Sequence, residues 1–220
     1  LYGAEAYQDA VRANNLDVLH YAAARDGNNY FAISNVPETF TYGATTYNKG
    51  ASVVHTLRGY MGDELFFSCV TSFLNAHKFQ PINAAMLRDY LSDCSGIDLN
   101  DFFTDWVYQP GSLAFEIEDI GNTKGLTSSI CIEQKKSSAN TFANNVPIVV
   151  SFFNKFTNEL VDTVHINMSG NQMMFDGLYV TEYYDYLYAV LDYENKLNDA
   201  VTSDELYIKT AGTYNMPNGL

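Results

Sequence analysis

The first half of the chain carries apolar side chains at helical spacing. One such run covers residues 4 to about 24 and ends at the turn sequence Asp26-Gly27-Asn28-Asn29. A second run covers residues 47–61 and has Val53, Val54, Leu57 and Tyr60 on one side. Both patterns predict amphipathic helices that bury one face.

Three further helices are predicted from cap residues that precede apolar helical runs. Asp63 and Asn83 are placed to cap the third and fourth helices. Asp98 followed by Asp101 resembles a capping box at the start of a fifth helix, which ends at Pro110-Gly111. The short connections favour a compact bundle of packed helices over residues 1–111.

After residue 111 the apolar period changes to two. Runs of strand length cover residues 113–118, 129–133, 148–153, 161–166, 173–175, 186–191 and 206–208. About seven short strands separated by turn residues predict an immunoglobulin-like antiparallel β-sandwich, with a closed barrel as the alternative. The predicted fold class is α+β, with a helical domain at 1–111 and a β-sandwich domain at 112–220.

Composition limits the partners that the chain can bind. A net charge of −14 argues against nucleic acid and acidic membrane surfaces, because both require basic patches. No apolar run approaches the length of a membrane span. The chain starts without Met and without a signal peptide, so we expect that it continues upstream. The acidity and the many Asn and Tyr residues favour an extracytoplasmic (periplasmic, cell-surface or secreted) bacterial protein.

Three cysteines form no CxxC pair, which disfavours a zinc ribbon or a redox motif. Cys69 and Cys94 fall on two successive predicted helices. A disulfide between them is conceivable, but two buried free thiols are the favoured prediction.

Most catalytic signatures are absent from the sequence. None of the four histidines has a second histidine four residues away, HExxH is absent, and there is no G-x-S-x-G or phosphate-binding loop. Tyr47 stands out because a phenol at a helix start can point into a cleft and donate a hydrogen bond to an oxyanion. From the residue pattern alone, packing at a helix–loop junction is the favoured interpretation of Tyr47.

An ordered set of motifs changes that interpretation. Tyr47-Asn48-Lys49-Gly50-Ala51 is followed, fifteen residues after the tyrosine, by Gly62-Asp63-Glu64-Leu65-Phe66. The later elements are Phe73-Leu74, a leucine-containing helix at 87–91, and Ser95-Gly96-Ile97-Asp98-Leu99 leading to Phe102-Phe103 and Trp106. This order resembles the segment that follows the zinc ligands in the alanyl aminopeptidase family of gluzincin metallopeptidases. The resemblance covers residues 1 to about 116.

The resemblance implies a zinc-dependent aminopeptidase. In that family HExxH and a distal Glu hold zinc, and a tyrosine stabilises the tetrahedral oxyanion, a role that the motif carries over to Tyr47. Tyr42, five residues earlier, matches a second active-site tyrosine of some members. The usual Gly-x-Pro after the tryptophan helix is Gly111-Ser112-Leu113 here.

The zinc motif itself is missing from these 220 residues. The chain is therefore expected to be a C-terminal fragment that binds no catalytic zinc and is inactive alone. Its expected partners are the N-terminal part of the catalytic domain and, in the parent protein, a peptide substrate. The alternative hypothesis is a non-catalytic relative that serves as a binding or scaffold protein through its β-sandwich, with Tyr183-Tyr184-Asp185-Tyr186 as part of an interface.

Overall fold

A computed structural model describes residues 3–122, 127–179 and 187–197. Its first half is helical. The helices are α1 Gly3–Asp17, α2 Ala23–Arg25, α3 Gly50–Met61, α4 Asp63–Ala76, α5 Ala84–Ser95 and α6 Asn100–Phe102. Three π-helical segments, Val18–Ala22, Thr45–Lys49 and Phe103–Val107, continue the helices next to them, and two short 3-10 turns occupy Ile33–Asn35 and Glu38–Phe40. All five predicted helices are present.

The helix starts agree only in part with the predicted caps. The Asn83 side chain accepts a hydrogen bond from the Met86 backbone N–H at 2.9 Å, which confirms that cap. Gly62, and not Asp63, is the N-cap of α4, and the Asp63 carboxylate instead binds the Arg58 guanidinium through two bonds of 2.7 Å. That ion pair holds the carboxylate away from the helix donors.

The capping box predicted for the fifth helix is not formed. Asp98 accepts a hydrogen bond from the Asn100 backbone N–H at 2.9 Å. The Asp101 carboxylate, however, binds the Asn145 side-chain amide from the β half and does not reach back to the cap. A contact from a distant part of the chain therefore replaces the predicted local bond.

The second half consists of strands, as predicted. The strands are β1 Ser112–Asn122, β2 Thr127–Ser137, β3 Val146–Asn154, β4 Leu160–Met168, β5 Gln172–Tyr179 and β6 Leu187–Leu191. They form two antiparallel sheets in the orders β1-β2-β5 and β4-β3-β6. The strand predicted at 206–208 and the tyrosine run Tyr183-Tyr184-Asp185-Tyr186 lie outside the described residues.

The α+β class is confirmed, whereas the immunoglobulin-like sandwich and the domain boundary at residue 112 stay predictions. One apolar cluster joins the two halves. It contains Phe103 and Trp106 from the helical half, Phe115 and Ile132 from one sheet, and Ile148 from the other. The removal of these large apolar side chains from water is the main favourable contribution to the free energy that holds the two halves together. Within the described part of the chain, no helix is long and apolar enough to cross a bilayer.

Gly111 makes the sharp connection between the helices and the first strand. Its φ is +74°, and a Cβ there would lie 2.2 Å from the Ser137 carbonyl oxygen. Only glycine tolerates both the dihedral angle and the close backbone approach.

The prediction of free thiols at Cys69 and Cys94 is wrong. The two residues form a disulfide between α4 and α5, with Cα atoms 5.8 Å apart. The helices are antiparallel neighbours joined by a short turn, which brings two positions 25 residues apart within bonding distance. Cys131 is buried and lies outside this disulfide, and its Sγ donates to a Glu118 carboxylate oxygen at 3.4 Å.

The loop after β6 packs on α3. The buried Asp192 carboxylate accepts backbone N–H bonds from Lys196 and Leu197 at 2.8 and 2.7 Å, which closes the loop on itself. His55 Nε2 lies 2.6 Å from the Asn195 carbonyl oxygen. Because a carbonyl only accepts, Nε2 carries the proton in this contact. The β half is thereby fastened to α3 at His55, eight residues after Tyr47.

Candidate active site

Tyr47 lies on the π-helical segment Thr45–Lys49, which runs directly into α3. The helix begins close before it, since the Tyr47 backbone N–H donates to the Gly43 carbonyl at 3.2 Å. Single π-helical turns are rare, and they frequently occur at functional sites. The Tyr47 side chain is 58% exposed, so its phenol projects from the protein surface.

Tyr42 and Tyr47 lie next to each other on the surface. Their rings are stacked, with centroids 6.4 Å apart and planes 22° from parallel. Tyr42 is 85% exposed. Among the residues that the structure describes, none makes a hydrogen bond to either phenol oxygen. Neither hydroxyl group is therefore engaged by the described part of the chain.

A buried carboxylate fixes the start of the helix that carries Tyr47. Asp26 is fully buried, and its two oxygens accept the backbone N–H groups of Ala44 and Thr45 at 2.9 and 2.8 Å. These are two of the donors that a helix N-terminus leaves unsatisfied. Gly43 permits the contact, because a Cβ there would lie 2.3 Å from an Asp26 carboxylate oxygen.

A polar network joins α1 to the same segment. Asn14 Nδ2 donates to the Asn48 carbonyl at 2.8 Å and to Ser52 Oγ at 2.6 Å. The Ser52 hydroxyl in turn donates to Asn15 Oδ1 at 2.8 Å. Hydrogen-bonded networks of this kind specify one arrangement of the elements that they join.

Lys49 follows Tyr47 by two residues and points inward. Its side chain is only 6% exposed, its Nζ donates to the Phe31 carbonyl at 3.4 Å, and it lines a small cavity together with Asp105 and Trp106. Burial lowers the pKa of Lys49 from 10.5 to about 8. Burial also raises the pKa of Asp105 to about 6. The Lys49 ammonium ties the loop before Tyr42 to the helix.

The Lys49 pKa predicts how stability depends on pH. Because the folded state releases this proton near pH 8 and the unfolded state near 10.5, the unfolded state binds more protons between these values. Relative to Lys49→Met, the free energy of unfolding should therefore rise with pH in this window, by at most about 1.4 kcal/mol per pH unit. Urea titrations from pH 7 to 10.5 measure the difference.

The matched control for that titration is Lys78→Met, at an exposed position after α4. This variant also replaces a lysine by Met, but it leaves the buried site around Lys49 intact. A difference between Lys49→Met and the unchanged protein that stays constant with pH would contradict the buried-ammonium account.

The described residues do not provide a metal site. Within 3–122, 127–179 and 187–197, no group of three His, Cys, Asp or Glu side chains could hold an ion. The site therefore consists of the exposed pair Tyr42 and Tyr47. A phenol can donate a hydrogen bond, but it cannot activate water by itself.

Comparison with known proteins identifies this part of the chain. The family model of the peptidase family M1 domain matches residues 4–106, which include both tyrosines and the packed helices behind them. Residues 4–106 are therefore similar to the peptidase family M1 domain.

Several aminopeptidases are similar in sequence. Probable aminopeptidase 1 of Saccharolobus solfataricus is 26% identical, with 77% of this chain and 24% of that protein covered. Mitochondrial aminopeptidase 2 of Saccharomyces cerevisiae is 27% identical over 68% of this chain and 17% of its own length. Aminopeptidase N of Lactococcus lactis is 31% identical over 36% of this chain and 9% of its own. The chain thus spans a quarter or less of these relatives.

A solved structure shares the fold. The crystal structure of Legionella pneumophila aminopeptidase A in complex with aspartic acid aligns with a TM-score of 0.55 at 15% identity. The alignment covers 75% of this chain and 18% of that one. It therefore extends beyond the helical residues that match the M1 family model.

Two residues of the site were missed by sequence reasoning. Asp26 looked like part of a turn that ends the first helix, and nothing local indicates that its carboxylate caps a helix eighteen residues later. Lys49 was visible as part of the Tyr-x-Lys-Gly motif, but its burial depends on tertiary packing. The catalytic roles of Tyr47 and Tyr42 remain predictions.

Proposed function

We propose that the protein acts in the hydrolysis of N-terminal peptide bonds and that Tyr47 is its oxyanion stabiliser. The observation that supports this role most is the exposed Tyr47 phenol, at the start of a fixed helix in the M1 segment, with no hydrogen bond from the described residues. Its O–H would donate to the substrate carbonyl oxygen as that oxygen gains negative charge. A donor aimed at developing charge lowers the barrier more than it strengthens substrate binding.

Tyr42 is proposed as a second active-site residue. Its ring stacks on Tyr47 and limits the orientations of that phenol. With 85% of its surface exposed, Tyr42 can also contact the substrate directly. We therefore expect Tyr42→Phe to have a smaller effect on turnover than Tyr47→Phe, since the stacking ring is retained.

Zinc dependence belongs to the proposal for the full-length protein. The described residues do not fit a zinc ion, so HExxH and the distal Glu would have to come from outside this chain. A zinc ion bound by such ligands would activate a water molecule for attack on the peptide carbonyl. The 220-residue chain alone should therefore be inactive.

The assay uses an alanyl p-nitroanilide and the full-length protein that contains this chain. Hydrolysis should require a free substrate amine and stop when zinc is chelated, and the N-acetylated substrate should be resistant. The 220-residue chain alone should release no product. Metal-dependent release by this chain alone, or no release by the full-length protein, would each refute the proposal.

We further propose an extracytoplasmic location. The Cys69–Cys94 disulfide supports it, because disulfides persist in oxidising compartments and are rare in the cytosol. Labelling of thiols in intact cells measures this directly: the two residues should be protected from alkylation until a reductant is added. Full alkylation without reductant would argue for a reducing compartment.

A further inference from the structure

We propose that Asp26 is a positioning residue for Tyr47, acting through the first turn of the helix that carries the phenol. The inference rests on the proposed function of Tyr47 and adds a residue that does not contact substrate. Asp26 lies at the end of the first helical stretch, where its own backbone N–H donates to the Ala22 carbonyl at 3.0 Å. The carboxylate is thus anchored to one helix while it binds the start of another.

The hydrogen bonds of Asp26 are those of a helix cap supplied from a distance. Each carboxylate oxygen accepts one backbone N–H, from Ala44 and from Thr45, and the side chain is fully buried. A negative charge there also interacts favourably with the positive end of the helix dipole. Charge-assisted bonds of this kind are about twice as strong as neutral ones. Asp26 therefore holds the first turn of the Tyr47 helix at two adjacent residues, Ala44 and Thr45.

Tyr47 lies on the same helical turn, two residues after the capped Thr45. Its backbone N–H donates to the Gly43 carbonyl, and Gly43 packs directly against the Asp26 carboxylate, with no space for a Cβ. A shift of Asp26 consequently displaces Gly43, the capped N–H groups and the Tyr47 backbone together. A misplacement of about 1 Å at a reacting group can cost about 100-fold in rate, which sets the scale of the expected effect.

The test is Asp26→Asn in the full-length protein. An amide offers one acceptor oxygen, and its NH₂ group faces the second backbone N–H, so one cap bond is lost at nearly constant volume. We expect kcat to fall about 10-fold to 100-fold and KM to change by less than about threefold, because the donor is misaligned in the transition state.

The matched control is Asp192→Asn. Asp192 is also a buried carboxylate that accepts two backbone N–H groups, but it closes the loop after β6. Whatever its effect on stability, kcat per folded molecule should be unchanged. An equal loss of kcat in both variants would show that Asp26 contributes only general stability and would overturn the proposal.

A second readout separates this inference from the role of Tyr47. In the full-length protein, Tyr47 of this chain is replaced by 3-fluorotyrosine. Its ¹⁹F resonance should shift or split in Asp26→Asn and stay unchanged in Asp192→Asn. An unchanged resonance in Asp26→Asn would overturn the positioning role. If Tyr47→Phe kept full activity while the resonance still shifted, the proposed function would fail and the positional coupling would stand.

Discussion

Replacing Tyr47 by Phe should lower the turnover of the full-length protein about 100-fold to 1000-fold, the cost of one oxyanion donor. Among the residues that the structure describes, none bonds to the phenol oxygen, so its removal leaves the described hydrogen bonds intact and keeps the ring stacked on Tyr42. Zinc content and thermal stability should therefore be unchanged. Steady-state kinetics on the alanyl anilide and metal analysis of the same sample measure both quantities.

The control for this prediction is Tyr21→Phe. Tyr21 is exposed to a similar degree as Tyr47 and lies on the π-helical segment Val18–Ala22, but outside the motif. Removal of its hydroxyl should leave kcat unchanged. A nearly normal rate for Tyr47→Phe, or an equal loss in both variants, would refute the role assigned to Tyr47.

Of the substitutions proposed here, removal of the Cys69–Cys94 disulfide should lower the free energy of unfolding most. The bond closes a loop with a sequence separation of 25, for which loop entropy predicts a loss of about 3 to 4 kcal/mol in unfolding free energy. The double variant Cys69→Ala/Cys94→Ala tests this by urea denaturation. The two helices also carry the buried side chains Phe73 on α4 and Leu91 on α5, so their packing should loosen.

A reductant provides the internal control. Dithiothreitol should lower the midpoint of the unchanged protein towards that of the double variant and have no effect on the variant itself. Cys131→Ala, which removes the buried cysteine outside the disulfide, should keep the full response to reductant. A midpoint that does not respond to reductant in the unchanged protein would contradict a stabilising disulfide.

Periodicity was enough to predict the elements because each buries one face. Val53 and Leu57 on the buried face of α3 and the alternating residues of β1 follow directly from helix and strand geometry. The sheet pairings could not be predicted, because the order β1-β2-β5 depends on which strands meet in space. The same reason explains the failed capping box, where Asn145 competes for Asp101.

Long-range contacts also account for what was missed around the site. The disulfide needs two positions on adjacent helices to face each other, which spacing along the chain does not specify. Asp26 caps a helix from across a loop, so no local pattern marks it. Tyr47 could be singled out only because several motifs occur in a fixed order, and the structure adds its exposure and its stacked neighbour.

The central claim is that Tyr47 stabilises a tetrahedral oxyanion. The most direct test compares the inhibition constants of a phosphinic dipeptide, a tetrahedral mimic, for the unchanged full-length protein and for Tyr47→Phe. The constant should rise about as much as kcat/KM falls, roughly 100-fold to 1000-fold, while the affinity for the product amino acid stays the same. An unchanged inhibition constant beside a reduced turnover would contradict the oxyanion role.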